Sequence, residues 1–163
     1  MLKIMEVEID YRKKLELLQY PHPILSMECV PVTEFGDDLN HFVTQMFLFM
    51  KTGLTWGKPV GLAAPQVGLP VRVFITEDRE YINPEITWVT KAPMNECHEG
   101  CYSLNENDYS YEVRRYPSIR LKWQDVKGEW HEDRFNGYKA QIIQHELDHI
   151  LGETVAEKES INK

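Results

Sequence analysis

Residues 145–149 read His-Glu-Leu-Asp-His, inside a stretch from Asn136 to Gly152 that has the features of a helix. Residues four apart on a helix lie one turn above each other on the same face, so the imidazoles of His145 and His149 can bind one ion. Glu146 is adjacent and can reach a water beside that ion without ligating it. Two helical histidines at this spacing more often face solvent or bond locally. With glutamate fixed at the second position, a chance match in 163 residues falls to about one per cent or less on ordinary residue usage. Metal-assisted hydrolysis is the first chemistry to consider, and it requires a third ligand.

One class of zinc peptidases extends this pattern to H-E-x-x-H-x-x-G-x-x-H. The sequence follows it through Gly152 and then places Val155, which cannot ligate, where the third histidine belongs. Another class takes a glutamate from a later helix. Glu153, Glu157 and Glu159 do follow, but in a charged stretch without apolar periodicity, and residues 157–163 are expected to form a flexible tail. The third ligand is therefore expected upstream, where "NECHEGCYSLNE" offers Cys97, His98 and Cys101. A thiolate beside two imidazoles binds a divalent transition ion strongly, and ligation draws the thiol well below its free pKa of about 8.5. Either cysteine alone would more often be a small buried hydrophobe.

The histidine helix takes Asn136 as N-cap and ends at Gly152, and it must bury Ile143, Leu147, Ile150 and Leu151 against a partner layer. A long first helix is predicted between Asp37 and Gly53. Leu39, Phe42, Val43, Met46, Phe47 and Met50 follow helical spacing there, with Asp37 or Asp38 as N-cap. Strands are predicted at "VRVFIT", "EITWVT", Val113 to Trp123, and "EWHEDRF", the last two forming a hairpin through "QDVKG". The fold class is α+β: mostly antiparallel strands packed around the late metal-binding helix, with the long first helix beside them. No repeat or linker divides the chain, and residues 1–163 are expected to form a single domain.

A net charge of −8 repels a phosphate backbone, and no basic run or aromatic-interleaved basic patch overrides it, so there is no nucleic-acid-binding signature. No apolar stretch approaches the roughly 20 residues of a membrane span, and the N-terminus is too charged for a secretory signal. A cytoplasmic location is expected. The three cysteines, Cys29, Cys97 and Cys101, are too few for a disulfide framework.

Three segments together, "PVGLAAPQ", "EGCYS" and "QHELDH", resemble in order the three motifs of the peptide deformylases. "LLQYPHPIL" and "YINPEI" add lesser similarity, and the resemblance covers about residues 15 to 155. It implies removal of the formyl group from N-formylmethionine at the start of nascent polypeptides, with Cys101, His145 and His149 holding one divalent ion and a water in the fourth position. Fe²⁺ is the physiological ion the resemblance implies, with Zn²⁺ or Ni²⁺ in preparations. Glu146 is implied as general base and then acid, and the Gln66 side-chain amide and Tyr102 backbone N–H as donors to the developing oxyanion. Val60, Gly61, Leu62, Cys97 and Ile142 are implied around the substrate, Gly61 allowing an extended peptide to approach and pair. Glu99 and Arg115 are read as a supporting ion pair or a solvated surface pair. Partners implied are N-formylmethionyl nascent chains, with transient association with the ribosome.

The pattern is broken at several places. Pro59 replaces the first glycine of the first motif, removing a backbone donor and fixing φ. Asn105 and Asp108 stand where many members carry proline and arginine, and Tyr138 and Gln141 take positions usually aliphatic, giving a more polar pocket. The chain resembles shortened forms of the family that lack an extra C-terminal helix. Two alternatives stand beside the deformylase reading: a zinc endopeptidase built on the same helix, and a non-catalytic peptide-binding relative.

Overall fold

The computed structural model describes residues 8–54, 57–104 and 111–161, so Asn105 and Asp108 lie outside the described residues. Helix α1, Asp37–Thr52, buries Leu39, Phe42, Val43, Met46 and Met50, the apolar stripe predicted from spacing. Its N-cap is Gly36 and not an aspartate. Asp37 and Asp38 fall in the first turn, where negative charge opposes the helix dipole, and Asp38 also accepts from Arg12 Nε at 2.7 Å.

Strands β1 (Gly61–Ala63), β2 (Val73–Thr76), β3 (Glu80–Val89), β6 (Ser118–Gln124) and β7 (Trp130–Asn136) form an antiparallel sheet in the order β1-β2-β3-β6-β7. Strands β4 (Asn95–Glu99) and β5 (Tyr111–Arg115) pair separately. The β6–β7 hairpin matches expectation: Asp125 Oδ1 accepts from the N–H groups of Lys127 and Glu129, and Gly128 supplies a φ of +82°. The predicted strand from Val113 to Trp123 instead divides between the two sheets. Pro117 has no N–H to continue a ladder, and Tyr116 gives its own to Gln144 Oε1 at 2.9 Å. The first predicted strand also starts later, because Val71 forms an isolated parallel bridge with Val30.

β2 is buried on both faces. Val73 and Ile75 join Phe42, Met46, Leu62 and Ile82 on the α1 side, while Phe74 joins Ala63, Tyr81, Leu121, Ile143 and Leu147 on the other. That second face carries α2, Gly137–Ile150, which buries Ile143, Leu147 and Ile150 as predicted. Leu151 does not follow them; it is 52% exposed, because the helix stops at Ile150 and the chain turns through Gly152 at φ +78°. A Cβ on Gly152 would come within 2.8 Å of the Ser26 and Met27 backbone, so the turn is also a close approach.

Of the stretch expected as a tail, residues 157–161 belong to a helix, α3 (Val155–Ile161), and residues 162–163 lie outside the described residues. Val155 is buried with Cys101, Leu104 and Val113. Thr154 and Glu157 bond reciprocally at the helix start, so one apolar anchor and a capping box supply what periodicity does not. Among the described residues no helix is long and apolar enough to cross a membrane.

Candidate metal centre and active site

One face of α2 lines a cleft: Tyr138, Gln141, Ile142, His145 and Glu146 recur at helical spacing. The opposite walls are Val60 and Gly61, leading into β1, and the turn that leaves β4 at Glu99 and runs through Gly100, Cys101 and Tyr102. His149, one turn beyond His145, is buried behind them.

Here Cys101 Sγ and ring nitrogens of His145 and His149 lie within 4.8 Å of one another, with Sγ to His149 Nε2 at 3.3 Å. Three donors bound to one ion at about 2.0–2.3 Å must be spaced on this scale, so soft sulfur and two imidazoles fit a divalent transition metal in arrangement and in chemistry. The sulfur is prepared for the role. Burial alone would raise the Cys101 pKa, but the charges and hydrogen bonds of His149 and His145 outweigh it and hold the thiol at about 5. His145 Nδ1 is 2.9 Å from Glu99 Oε2; the ionised carboxylate only accepts, so Nδ1 carries the proton and the other ring nitrogen is left for a ligand role.

Behind His145 stands a buried ion-pair chain. Arg115 grips Glu99 with Nε and Nη2, both at 2.8 Å, and donates Nη1 to Asp148 at 2.6 Å; Asp148 also takes Lys158 of α3 at 3.0 Å. The Glu99 and Arg115 side chains are only 5% and 4% exposed, which decides between the supporting pair and the solvated surface pair read from sequence. Burial would raise the Glu99 pKa, but the bonds to Arg115 and His145 bring it down to about 2. Asp148 and Lys158 had no assigned role in the sequence. The signal for Asp148 was its place inside "QHELDH"; Lys158 carried none.

Gln66 lies in a single 3-10 turn, Ala64–Val67, just after β1 and is 2% exposed. Its Oε1 accepts the Ala63 N–H at 2.9 Å. That contact fixes the amide orientation, since an N–H can only face the oxygen. The NH₂ group therefore points to Ser103 Oγ at 3.3 Å and Cys101 Sγ at 3.6 Å, presenting a donor at the sulfur side of the cleft. Glu146 is 4% exposed, and its Oε2 has no hydrogen-bond partner among the described residues. Burial lifts its pKa to about 7, against the lowering pull of the two histidines. A carboxyl poised near neutrality, with an unfilled acceptor beside a metal-ligand group, suits proton exchange with a bound water.

Gly61 serves this carboxyl directly. A Cβ there would meet Glu146 Oε1 at 2.6 Å, so the missing side chain makes room for Glu146. β1 is also the edge of its sheet. Because the Ala63 N–H turns away from β2 to Gln66, strand alternation puts the Gly61 N–H and C=O on the open edge, available to an extended peptide.

Of the substrate-side residues named from sequence, Val60, Gly61 and Ile142 line the cleft and two do not. Leu62 is fully buried on the α1 side of the sheet, since alternation turns it away from the face that carries Gly61. Cys97 sits opposite Val113 in the β4–β5 pair and packs behind Cys101. Gly57, Lys58 and His98 also line the cleft, and the sequence motifs did not mark them as lining residues.

A family profile described as polypeptide deformylase matches residues 14–163. The peptide deformylase of Wolinella succinogenes is 37% identical, covering 91% of this chain and 90% of its own length, and that of Campylobacter jejuni is 37% identical, covering 91% and 87%. The crystal structure of peptide deformylase from Thermotoga maritima superposes with a TM-score of 0.81 at 31% identity, covering 90% of this chain and 97% of that one. A Plasmodium falciparum peptide deformylase, in complex with an inhibitor, gives 0.80 at 31% identity, covering 88% of each chain. Sequence kinship of this extent and an α+β architecture shared along nearly its whole length agree with the cleft chemistry, and the chain belongs to the polypeptide deformylase family.

Proposed function

We propose that this chain hydrolyses the formyl amide of N-formylmethionine at the start of newly made polypeptides, releasing formate and a free amino terminus, with Cys101, His145 and His149 as its metal ligands. One observation carries the assignment of roles: a buried Glu146 oxygen, without a hydrogen-bond partner among the described residues, held beside Cys101, His145 and His149 in a cleft that includes the edge strand β1. A divalent ion held by Cys101, His145 and His149 would supply Lewis acidity, lowering the pKa of a water and polarising the formyl carbonyl. Glu146 takes the proton of the attacking water and returns it to the departing amine, its raised pKa suiting both transfers near neutrality. The Gln66 amide and the Tyr102 N–H donate hydrogen bonds to the formyl oxygen as its negative charge develops. The open edge at Gly61 pairs with the substrate backbone, while Val60 and Ile142, with the more polar Gln141 beside them, receive the first side chain.

Fe²⁺ is the ion we assign physiologically, with Zn²⁺ or Ni²⁺ as replacements in isolated protein. The setting is the cytoplasm, where nascent chains emerge, and contact with the ribosome is transient. The endopeptidase reading loses its ground at Val155, which packs in an apolar cluster. The test is anaerobic formate release from formyl-Met-Ala-Ser by the iron-loaded protein and by Glu146→Gln. The variant is expected to keep its metal and lose about 10²–10⁴-fold in kcat; equal rates would reject the assignment. Peptide binding without formate release by the unaltered protein would point to the non-catalytic relative.

A further inference from the structure

The segment Leu18–Tyr20 lies outside every helix and strand and makes three bonds to the backbone around the site. Leu18 N–H donates to Gln66 O at 2.8 Å, Tyr20 N–H donates to Ser103 O at 2.8 Å, and between them Gln19 Nε2 donates to Tyr102 O at 3.0 Å. The first anchors the turn that carries Gln66; the other two anchor the turn that carries Tyr102 and Ser103. The two turns are far apart in sequence. The Gln66 amide joins them directly through its bonds to Cys101 Sγ at 3.6 Å and to Ser103 Oγ at 3.3 Å, the latter longer than the N–H···O bonds that the segment makes.

We infer that Leu18–Tyr20 is a positioning strap, which sets the spacing between the Gln66 amide and the Tyr102 peptide, with Gln19 as its side-chain contact. This rests on the reading of those two groups as the oxyanion donors. Donors of this kind act only when held about 2.7–3.1 Å from where the charge develops, and a turn free to drift loses that register without losing the fold. An extended segment with N–H groups at alternate residues suits such a strap, because residues i and i+2 point the same way and reach one turn each. Gln19 is exposed, so replacing it leaves no buried vacancy, and it is not among the residues that line the cleft.

The experiment compares Gln19→Leu, Gln19→Lys and Leu18→Pro with Gln66→Met, all as cobalt-loaded protein. Gln19→Leu removes the donor at similar bulk and is expected to lower kcat about 3- to 10-fold, the loss of one modest hydrogen bond's worth of alignment, with KM within twofold. Gln19→Lys restores a donor and should recover most of that loss, which a merely structural role would not require. Leu18→Pro removes the bond to Gln66 O and should lower kcat further. The cobalt absorption spectrum and the melting temperature of the Gln19 variants should match the parent. If Leu18→Pro fails to fold, the two Gln19 variants decide the matter alone. Gln66→Met separates the two readings: unchanged kcat there refutes the oxyanion assignment itself. A large loss in Gln66→Met with parental kcat in Gln19→Leu overturns the strap alone, and a kcat loss that Gln19→Lys fails to recover does so too.

Discussion

Gly61→Ala puts the smallest possible side chain at the point where β1 meets the proposed proton carrier. The new Cβ would stand 2.6 Å from Glu146 Oε1, 3.0 Å from its carboxyl carbon and 3.1 Å from Cγ. Ordinary contact begins at 3.4 Å, so something must yield by about 0.8 Å. The backbone at residue 61 is a strand paired to β2 in fixed register, whereas Glu146 Oε2 has no hydrogen-bond partner among the described residues, so the carboxylate is what moves. A misplacement near 1 Å of a group that must reach a specific water costs on the order of 100-fold in rate. Overpacking adds about 1–3 kcal/mol of lost stability, lowering Tm without unfolding the protein at room temperature. The three atoms nearest the added methyl all belong to Glu146 and none to Cys101, His145 or His149, so metal content should be parental. The assay is steady-state formate release with metal content and Tm measured on the same preparations. A kcat within threefold of the parent, at full metal loading, would refute the claim that Gly61 exists to admit Glu146.

Further outcomes follow from the same geometry. Cys101→Ser replaces the thiolate by a poor ligand and should weaken Co²⁺ affinity more than about 100-fold, beyond the loss seen for outer-shell changes; retained affinity by competition with a chelator would remove Cys101 from the ligand set. Arg115→Met strands two buried carboxylates, Glu99 and Asp148, and should cost about 3–5 kcal/mol in urea unfolding with a 10- to 100-fold loss of metal affinity. A loss under 1 kcal/mol would mean the network is not the support described. Glu99 also predicts acid sensitivity. Its folded pKa, about 2, lies below the ordinary 4.5, so its stabilisation is present above pH 4.5 and is lost as pH falls toward 2, about 3 kcal/mol in all. Unfolding free energies of the parent and Glu99→Gln between pH 6 and pH 3 check this; the variant should show a shallower acid limb, and parallel limbs would contradict it.

What was legible in the sequence was what is local. The His145–Glu146–His149 face follows from helical spacing alone, and the α1 stripe and the β6–β7 turn follow from periodicity and turn chemistry. Elimination left Cys97, His98 and Cys101 open as the third ligand, and only the family resemblance chose among them; in the fold Cys97 is a half-buried strand residue opposite Val113, while Cys101 lies beyond the strand end, 3.3 Å from His149 Nε2. The rest was hidden because it is tertiary. β propensity runs on from Val113 to Trp123, yet Pro117 assigns its two halves to different sheets, a choice made by Gln144 taking both backbone groups of Tyr116. Leu62 looked like a cleft residue because it stands inside a motif, but a motif fixes types and spacing, and the sheet face fixes direction. The strap is illegible for a plainer reason: two of its three bonds are backbone N–H groups that any residue but proline supplies.

Val155 shows how a correct negative inference can miss a positive role. Valine cannot ligate a metal, and that excluded the peptidase pattern. In the fold the same residue is buried with Cys101 and Val113, and the helix it starts sends Lys158 to Asp148 in the chain that ends at His145. Where the other pattern would place a third imidazole on the ion, this chain places an apolar anchor that holds α3 against the back of Cys101, the proposed sulfur ligand. With Cys101 as the proposed ligand, arriving from the β4 side, position 155 needs no ligand duty, and the segment after α2 would support such a centre from outside it.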